Sequence, residues 1–119
     1  MLVSKLKALA AAALVLPNLF LLAPPAHAAC GAASHYGLGD GYGGRRTANG
    51  ERMNPYGMTA ASPYLRLGST VTVTHRGRSI QVRINDRGPY AGGRILDLSY
   101  GAFAALASPR RGVISVCVA

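Results

Sequence analysis

Thr70-Val71-Thr72-Val73-Thr74-His75-Arg76-Gly77-Arg78-Ser79-Ile80-Gln81-Val82-Arg83-Ile84 is the most informative stretch of this 119-residue chain. Threonines alternate with valines up to Thr74, and Ile80, Val82 and Ile84 alternate with Gln81 and Arg83 beyond His75-Arg76-Gly77-Arg78. A side-chain period of two puts every second residue on one face, so both runs read as strands, the segment between them as a turn, and the whole as a hairpin with one buried face. On either side, Val113 to Val118 reads as a closing strand and Ser34-His35-Tyr36 as a short opening one. One helix is expected: Ser99 caps it, Tyr100-Gly101-Ala102-Phe103-Ala104-Ala105-Leu106 form its body, and Ser108-Pro109 stop it. Short strands, frequent turn signals and one small helix indicate a mainly β chain closed into a small barrel. Residues 37–44, GLGDGYGG, must be loop, because glycine loses too much conformational freedom to hold a strand or helix there. Their Gly39-x-Gly41-x-x-Gly44 spacing imitates a dinucleotide fingerprint, but no helix pattern follows it and the chain has little room for a doubly wound sheet.

Residues 1–28 carry the marks of an export signal: Lys5 and Lys7 at the start, an apolar run from Ala8 to Ala23, and Ala26-His27-Ala28 as a small-residue cleavage pattern. Pro17, Asn18 and Pro24-Pro25 interrupt the apolar run, which falls short of the ~20 residues a spanning helix needs, so no stable membrane insertion is expected. His27 stands where processing at a lipid-modified Cys30 requires a large aliphatic residue, which argues against a lipid anchor. The remaining residues, 29–119, make one small domain. Cys30 and Cys117 stand near its two ends and leave two readings open. They are unrelated thiols, or they pair in an oxidising compartment, in which case the first and last segments lie side by side. Closing so long a loop is worth roughly 4–5 kcal/mol on the chain-entropy argument.

Charge narrows the partners. Without Lys5 and Lys7 the domain has eleven basic residues, all arginine, against four acids (Asp40, Glu51, Asp86, Asp97), a net charge of +7. A domain this basic attracts polyanions. In a cytoplasmic protein, arginines interleaved with six tyrosines would suggest nucleic acid; export redirects the expectation to anionic wall glycans and lipid headgroups. His35 and His75 have no metal-ligand spacing to another His, Cys or acid, so neither reads as a metal ligand.

Three segments are more polar than plain turns require: Arg45-Arg46-Thr47-Ala48-Asn49-Gly50-Glu51, Asn85-Asp86-Arg87-Gly88-Pro89-Tyr90, and Gly92-Gly93-Arg94-Ile95-Leu96-Asp97-Leu98-Ser99. Each holds one acid and at least one arginine. Breaking a glycosidic bond needs an acid for the leaving oxygen and usually a second group to deprotonate the attacker. Carboxylates beside arginine stay ionised, whereas burial in an apolar pocket keeps a carboxyl group protonated. Each acid also has a structural reading: Glu51 as a partner of Arg45, Arg46 or Arg52, Asp86 as a turn residue bonding its own backbone, and Asp97 as a capping or dipole partner of the helix.

RRTANGE, NDRGPY and GGRILDLS, preceded by Ala33-Ser34-His35-Tyr36-Gly37, closely resemble the rare lipoprotein A-like (RlpA-like) family over essentially all of residues 33–118. Members of that family are septal-ring lytic transglycosylases. The resemblance implies a six-stranded double-psi β-barrel with one short helix. It also implies endolytic cleavage of peptidoglycan glycan strands, especially those lacking stem peptides, with no metal or cofactor. The sugar's own 6-hydroxyl closes onto the anomeric carbon and leaves a 1,6-anhydro end, so one carboxyl group serves as acid and then base.

Carried over residue by residue, Glu51 matches the acid after TANG and Asp86 the acid of NDRGP, while Asp97 resembles the acid that related double-psi barrels place over their glycan groove. Glu51 is the expected acid–base, supported by Asp86 and Asp97. Tyr36, Arg46, Asn49, Asn54, Ser62, Arg87, Tyr90 and Arg94 are expected to contact the glycan. Asn54 and Ser62 depart from the family pattern, which commonly has Asp and His there, and neither substitutes as a proton-exchanging group near neutral pH. A second expectation therefore stands beside the enzyme: an expansin-like barrel that binds wall glycan without cutting it. Either way the protein is expected to be a monomer in the periplasm or cell envelope.

Overall fold

A computed structural model describes residues 29–119; residues 1–28, on which the export-signal reading falls, lie outside the described residues. The elements are β1 (Ala29–Tyr36), β2 (Thr59–Ala61), β3 (Thr70–His75), β4 (Arg78–Asp86), β5 (Arg94–Ser99), α1 (Tyr100–Leu106), a 3-10 turn (Pro109–Arg111) and β6 (Ile114–Val118).

The hairpin forms as its alternation requires, with Val73, Val82 and Ile84 buried and Gln81 and Arg83 exposed. Its turn is tighter than the four residues expected. His75 pairs with Arg78, leaving only Arg76 and Gly77 between the strands, at φ 47° and 80°. Two successive left-handed residues make the turn whose twist matches that of the flanking strands. His75 is therefore a strand residue, buried, with Nδ1 2.7 Å from the Ser115 carbonyl oxygen.

The six strands close in the order β1-β5-β2-β4-β3-β6. Two pairs are parallel, β1 with β5 and β2 with β4, and they sit in a ring whose other neighbours are antiparallel. This is the double-psi barrel that the motif pattern implied. β1 begins five residues before the expected Ser34, because Ala29–Ala33 pair with β6. That pairing sets Cys30 opposite Cys117, and the two are bridged. β5 carries no strand expectation from sequence; Leu96 and Leu98 are nevertheless its inward residues and are fully buried. The core joins them to Ala33, Ala60, Val73, Val82, Ile84, Ile114, Val116, Val118 and the helix residues Ala102, Phe103 and Leu106. The helix is capped as expected: Ser99 Oγ accepts from the Ala102 amide at 3.1 Å and donates to the Gly57 carbonyl.

Both parallel pairs carry a register shift. Ala32 pairs with Arg94 but Ala33 with Leu96, so Ile95 is passed over; Ala60 pairs with Ile84 but Ala61 with Asp86, so Asn85 is passed over. Bulges of this kind re-aim a side chain and gather beside active sites. Here each one sets which residue of an acid-bearing strand stands against its neighbour.

Reducing the Cys30–Cys117 bridge releases 87 residues of chain separation and should cost about 2–5 kcal/mol, read as a lowered melting temperature in dithiothreitol. Ser99→Ala removes a buried hydroxyl with two partners and should cost about 1–3 kcal/mol by denaturant unfolding.

Candidate active site

Ala61 in β2 pairs with Asp86 of β4 on one side and Asp97 of β5 on the other. The two acids thus flank a single methyl group, their backbones two strand spacings apart, about 10 Å. Over this floor lies a cleft of about 310 Å³ lined by both acids together with Tyr36, Tyr42, Arg87 and Tyr90.

The acids differ in surroundings. Asp97 lies in β5 between the inward Leu96 and Leu98, and the bulge at Ile95 puts it opposite Ser34, whose hydroxyl donates to Oδ1 at 3.0 Å. Burial raises the Asp97 carboxyl above its usual value, against the Ser34 hydrogen bond and the nearby Arg94, which pull it down. Asp86 is saturated with donors: Tyr36 OH at 2.9 Å on Oδ2, and the backbone amides of Ala48 and Arg87 at 3.0 and 2.9 Å on Oδ1. It ties the TANG loop to the end of β4 and holds the tyrosine at the cleft. Burial, then the bond to Asp86, pushes the Tyr36 phenol far above its ordinary range, so it stays a hydrogen-bond donor.

Glu51 is placed differently from the expectation that made it the leading acid. Its carboxylate accepts Asn85 Nδ2 at 2.6 Å and Arg83 Nη1 at 2.8 Å on both oxygens, and it does not line the cleft. The Asn85 and Arg83 bonds hold the Glu51 carboxyl below its usual value despite some burial. The ion-pair reading was correct in kind, but the partner is Arg83, 32 residues away, rather than Arg45, Arg46 or Arg52.

Several of the expected glycan contacts are also bonded within the fold. Ser62 is buried, and its hydroxyl accepts the amides of Tyr64 and Leu65. Asn54 Oδ1 accepts the Tyr56 amide, Asn49 Oδ1 accepts the Thr47 hydroxyl and the Glu51 amide, and Arg46 donates to the Gly50 carbonyl. Arg87 reaches the cleft while donating to the carbonyls of Ser62 and Leu65. Tyr90 is 82% exposed and lines both this cleft and a neighbouring one of about 230 Å³ that also contains Tyr64 and Arg94. Ser34, Asn85 and Tyr42 were not singled out beforehand. For Ser34 and Asn85 the signal was their place in the ASHYG and NDRGPY motifs; Tyr42 carries none without the fold. No cluster of three or more His, Cys, Asp or Glu side chains able to hold a metal occurs among the described residues, and no helix there is long and apolar enough to cross a membrane.

A closed double-psi barrel with two carboxyl groups in one aromatic-walled cleft defines the class of fold, and comparison with known proteins gives the family. The profile described as "Lytic transglycolase" matches residues 28–118, so the chain belongs to that family. The chain is 54% identical over 88 residues to the probable endolytic peptidoglycan transglycosylase RlpA of Nostoc sp., covering 72% of this chain and 24% of that protein. It is 46% identical over 90 residues to the endolytic peptidoglycan transglycosylase RlpA of Pseudomonas aeruginosa, covering 74% and 26%. The chain thus spans about a quarter of the length of these relatives. Among solved structures, the Streptomyces papain inhibitor superposes with a TM-score of 0.59 at 26% identity, covering 80% of this chain and 96% of that one. An expansin of Clavibacter michiganensis shares the fold at a TM-score of 0.59 and 24% identity, over 76% and 48%.

Asp97 and Glu51, shifted in opposite senses, predict opposite pH responses. Because the folded state disfavours ionised Asp97, stability is lost as pH rises from the unfolded value near ~3.9 through the raised folded one. Asp97→Asn should therefore raise the melting temperature at pH 7 and leave it unchanged at pH 3. The depressed Glu51 contributes stability above the unfolded value of ~4.3, lost as pH falls through the folded one, so Glu51→Gln should lower the melting temperature at pH 7 and not at pH 2.

Proposed function

We propose that this barrel is the cutting module of an exported peptidoglycan lytic transglycosylase, delivered by residues 1–28 to the periplasm or cell envelope, where it acts as a monomer on peptide-poor glycan strands. Asp97 is its acid and base. The observation that carries this reading is the Asp97 carboxyl group, half-buried on the cleft floor with a raised affinity for its proton and a single side-chain hydroxyl fixing its orientation.

A protonated Asp97 donates to the glycosidic oxygen as the C1–O bond breaks. The 6-hydroxyl of the same sugar then bonds to C1, and its proton passes to the Asp97 carboxylate, closing the 1,6-anhydro ring and restoring the acid. Water is not consumed, so the cleft needs no second carboxylate to activate it. Asp86 positions the Tyr36 hydroxyl and the TANG loop; Tyr42 and Tyr90 supply ring faces for the sugars. Glu51, through Arg83 and Asn85, braces the loop from behind. The names of the relatives support the substrate.

Asn54 and Ser62 favour the second reading, a barrel that grips glycan without cutting, since their side-chain oxygens are used by their own turns. Incubation with purified peptide-free glycan strands, read by mass spectrometry for 1,6-anhydro ends, separates the two. Native protein should give anhydro ends, Asp97→Asn about 10²-fold fewer or none, and Glu51→Gln a loss of no more than about tenfold. Glycan retained without any anhydro product would establish the binding module instead.

A further inference from the structure

At the end of the barrel away from the cleft, the β3–β4 hairpin and the end of α1 enclose a separate concavity, of about 320 Å³. Arg78 opens β4 at this end and Asp86 closes β4 at the other, a strand length of roughly 26 Å. Arg76, Arg78 and Arg111 line the concavity together with the buried His75. The four side-chain carboxylates of the chain are all engaged elsewhere: Asp40 by the amides of Gly37 and Tyr42, Glu51 by Asn85 and Arg83, Asp86 by Tyr36, and Asp97 by Ser34. Three guanidinium groups therefore share one hollow that has no carboxylate in its wall, which focuses positive potential there.

The backbone adds an independent sign. Arg76 is the one non-glycine residue at positive φ among the described residues. The first central position of a two-residue hairpin turn of this type favours Asn, Asp or Gly, and a long side chain there is strained. Strain of this sort persists where a side chain is needed for something other than folding. What the strain achieves here is a third guanidinium at the rim.

We propose that this hollow is a second, non-catalytic binding site for the phosphate groups of a phosphodiester-linked polymer. The planar guanidinium fork pairs two oxygens of a phosphate, and three forks exceed what one carboxylate neutralises while matching successive phosphodiesters. A bilayer surface fits less well: the uncharged lining is buried Leu106 with Ala107 and Ser108, and no large apolar side chain projects from the hollow to enter lipid. The site is independent of whether the opposite cleft cuts glycan. A chain able to hold anionic polymer at one end and glycan at the other would remain on a wall that contains both.

The test uses the disulfide-bonded protein with Asp97→Asn as background, so that cleavage does not disturb the measurement. Binding to a poly(glycerol phosphate) chain is measured by isotope-edited NMR in 20 mM and 200 mM salt, alongside a polyglucuronate of equal length, inorganic phosphate and phosphatidylglycerol vesicles. Shifts should centre on His75–Arg78 and Arg111 with the phosphate polymer and weaken with salt. The triple variant Arg76→Gln, Arg78→Gln, Arg111→Gln should bind at least about tenfold more weakly with an unchanged melting temperature. Arg76→Asn gives the sharper result: it relieves the turn, so the melting temperature should rise while polymer affinity falls. Equal affinity for polyglucuronate would overturn the phosphate assignment, binding to vesicles but not to polymer would overturn the polymer, and shifts confined to the Asp97 cleft or absent altogether would overturn the site.

Discussion

The structure rests on the tight fit of a three-residue strand between two longer ones. β2 is only Thr59-Ala60-Ala61, fully buried, and it closes the ring by pairing with β4 and β5 at once. Ala60 points to the core between Ile84 and Leu98, and Ala61 lies between the two acids. A larger side chain at either place would meet packed neighbours on both flanks, and interiors this dense do not absorb added volume cheaply. The floor of the cleft and the closure of the barrel are thus one constraint. The bulges that slip Asn85 and Ile95 past their neighbours bring Asp86 opposite Ala61 and Asp97 opposite Ser34.

Around that floor the four acids do three different jobs. Asp40 turns the glycine loop by accepting the amides of Gly37 and Tyr42. Glu51 and Asp86 tie the TANG loop to β4 from two sides, one through Arg83 and Asn85 and the other through the Ala48 amide. Asp97 has one side-chain donor and the burial to raise its proton affinity. Scarcity of carboxylates in a chain of net charge +9 therefore does not mean that all of them do chemistry. The one least satisfied by the fold has the environment an acid needs, and the more satisfied Asp86 and Glu51 hold the TANG loop against β4.

The same division explains Asn54 and Ser62. Each caps its own turn with a side-chain oxygen, a task that Asp or His is not needed for, and neither lines the cleft beside Asp97. Arg83, paired with Glu51, opposes protonation of that carboxylate.

Local sequence was enough for the hairpin, the helix with its Ser99 cap, the last strand and the glycine loop, because period-two alternation, cap chemistry and glycine content act over a few residues. It also placed Asp86 and Asp97 in motifs from which a glycan cleft was expected. It did not reveal β2 or β5 as strands, since three small residues carry no period and Arg94–Ser99 reads as a polar motif until its leucines find the core. Nor did it show that Arg83, on an exposed face of the hairpin, would capture Glu51, or that burial would fall on Asp97. Those outcomes depend on which strands close beside one another and where two bulges shift the register, and both are set by long-range packing that no short window of residues contains.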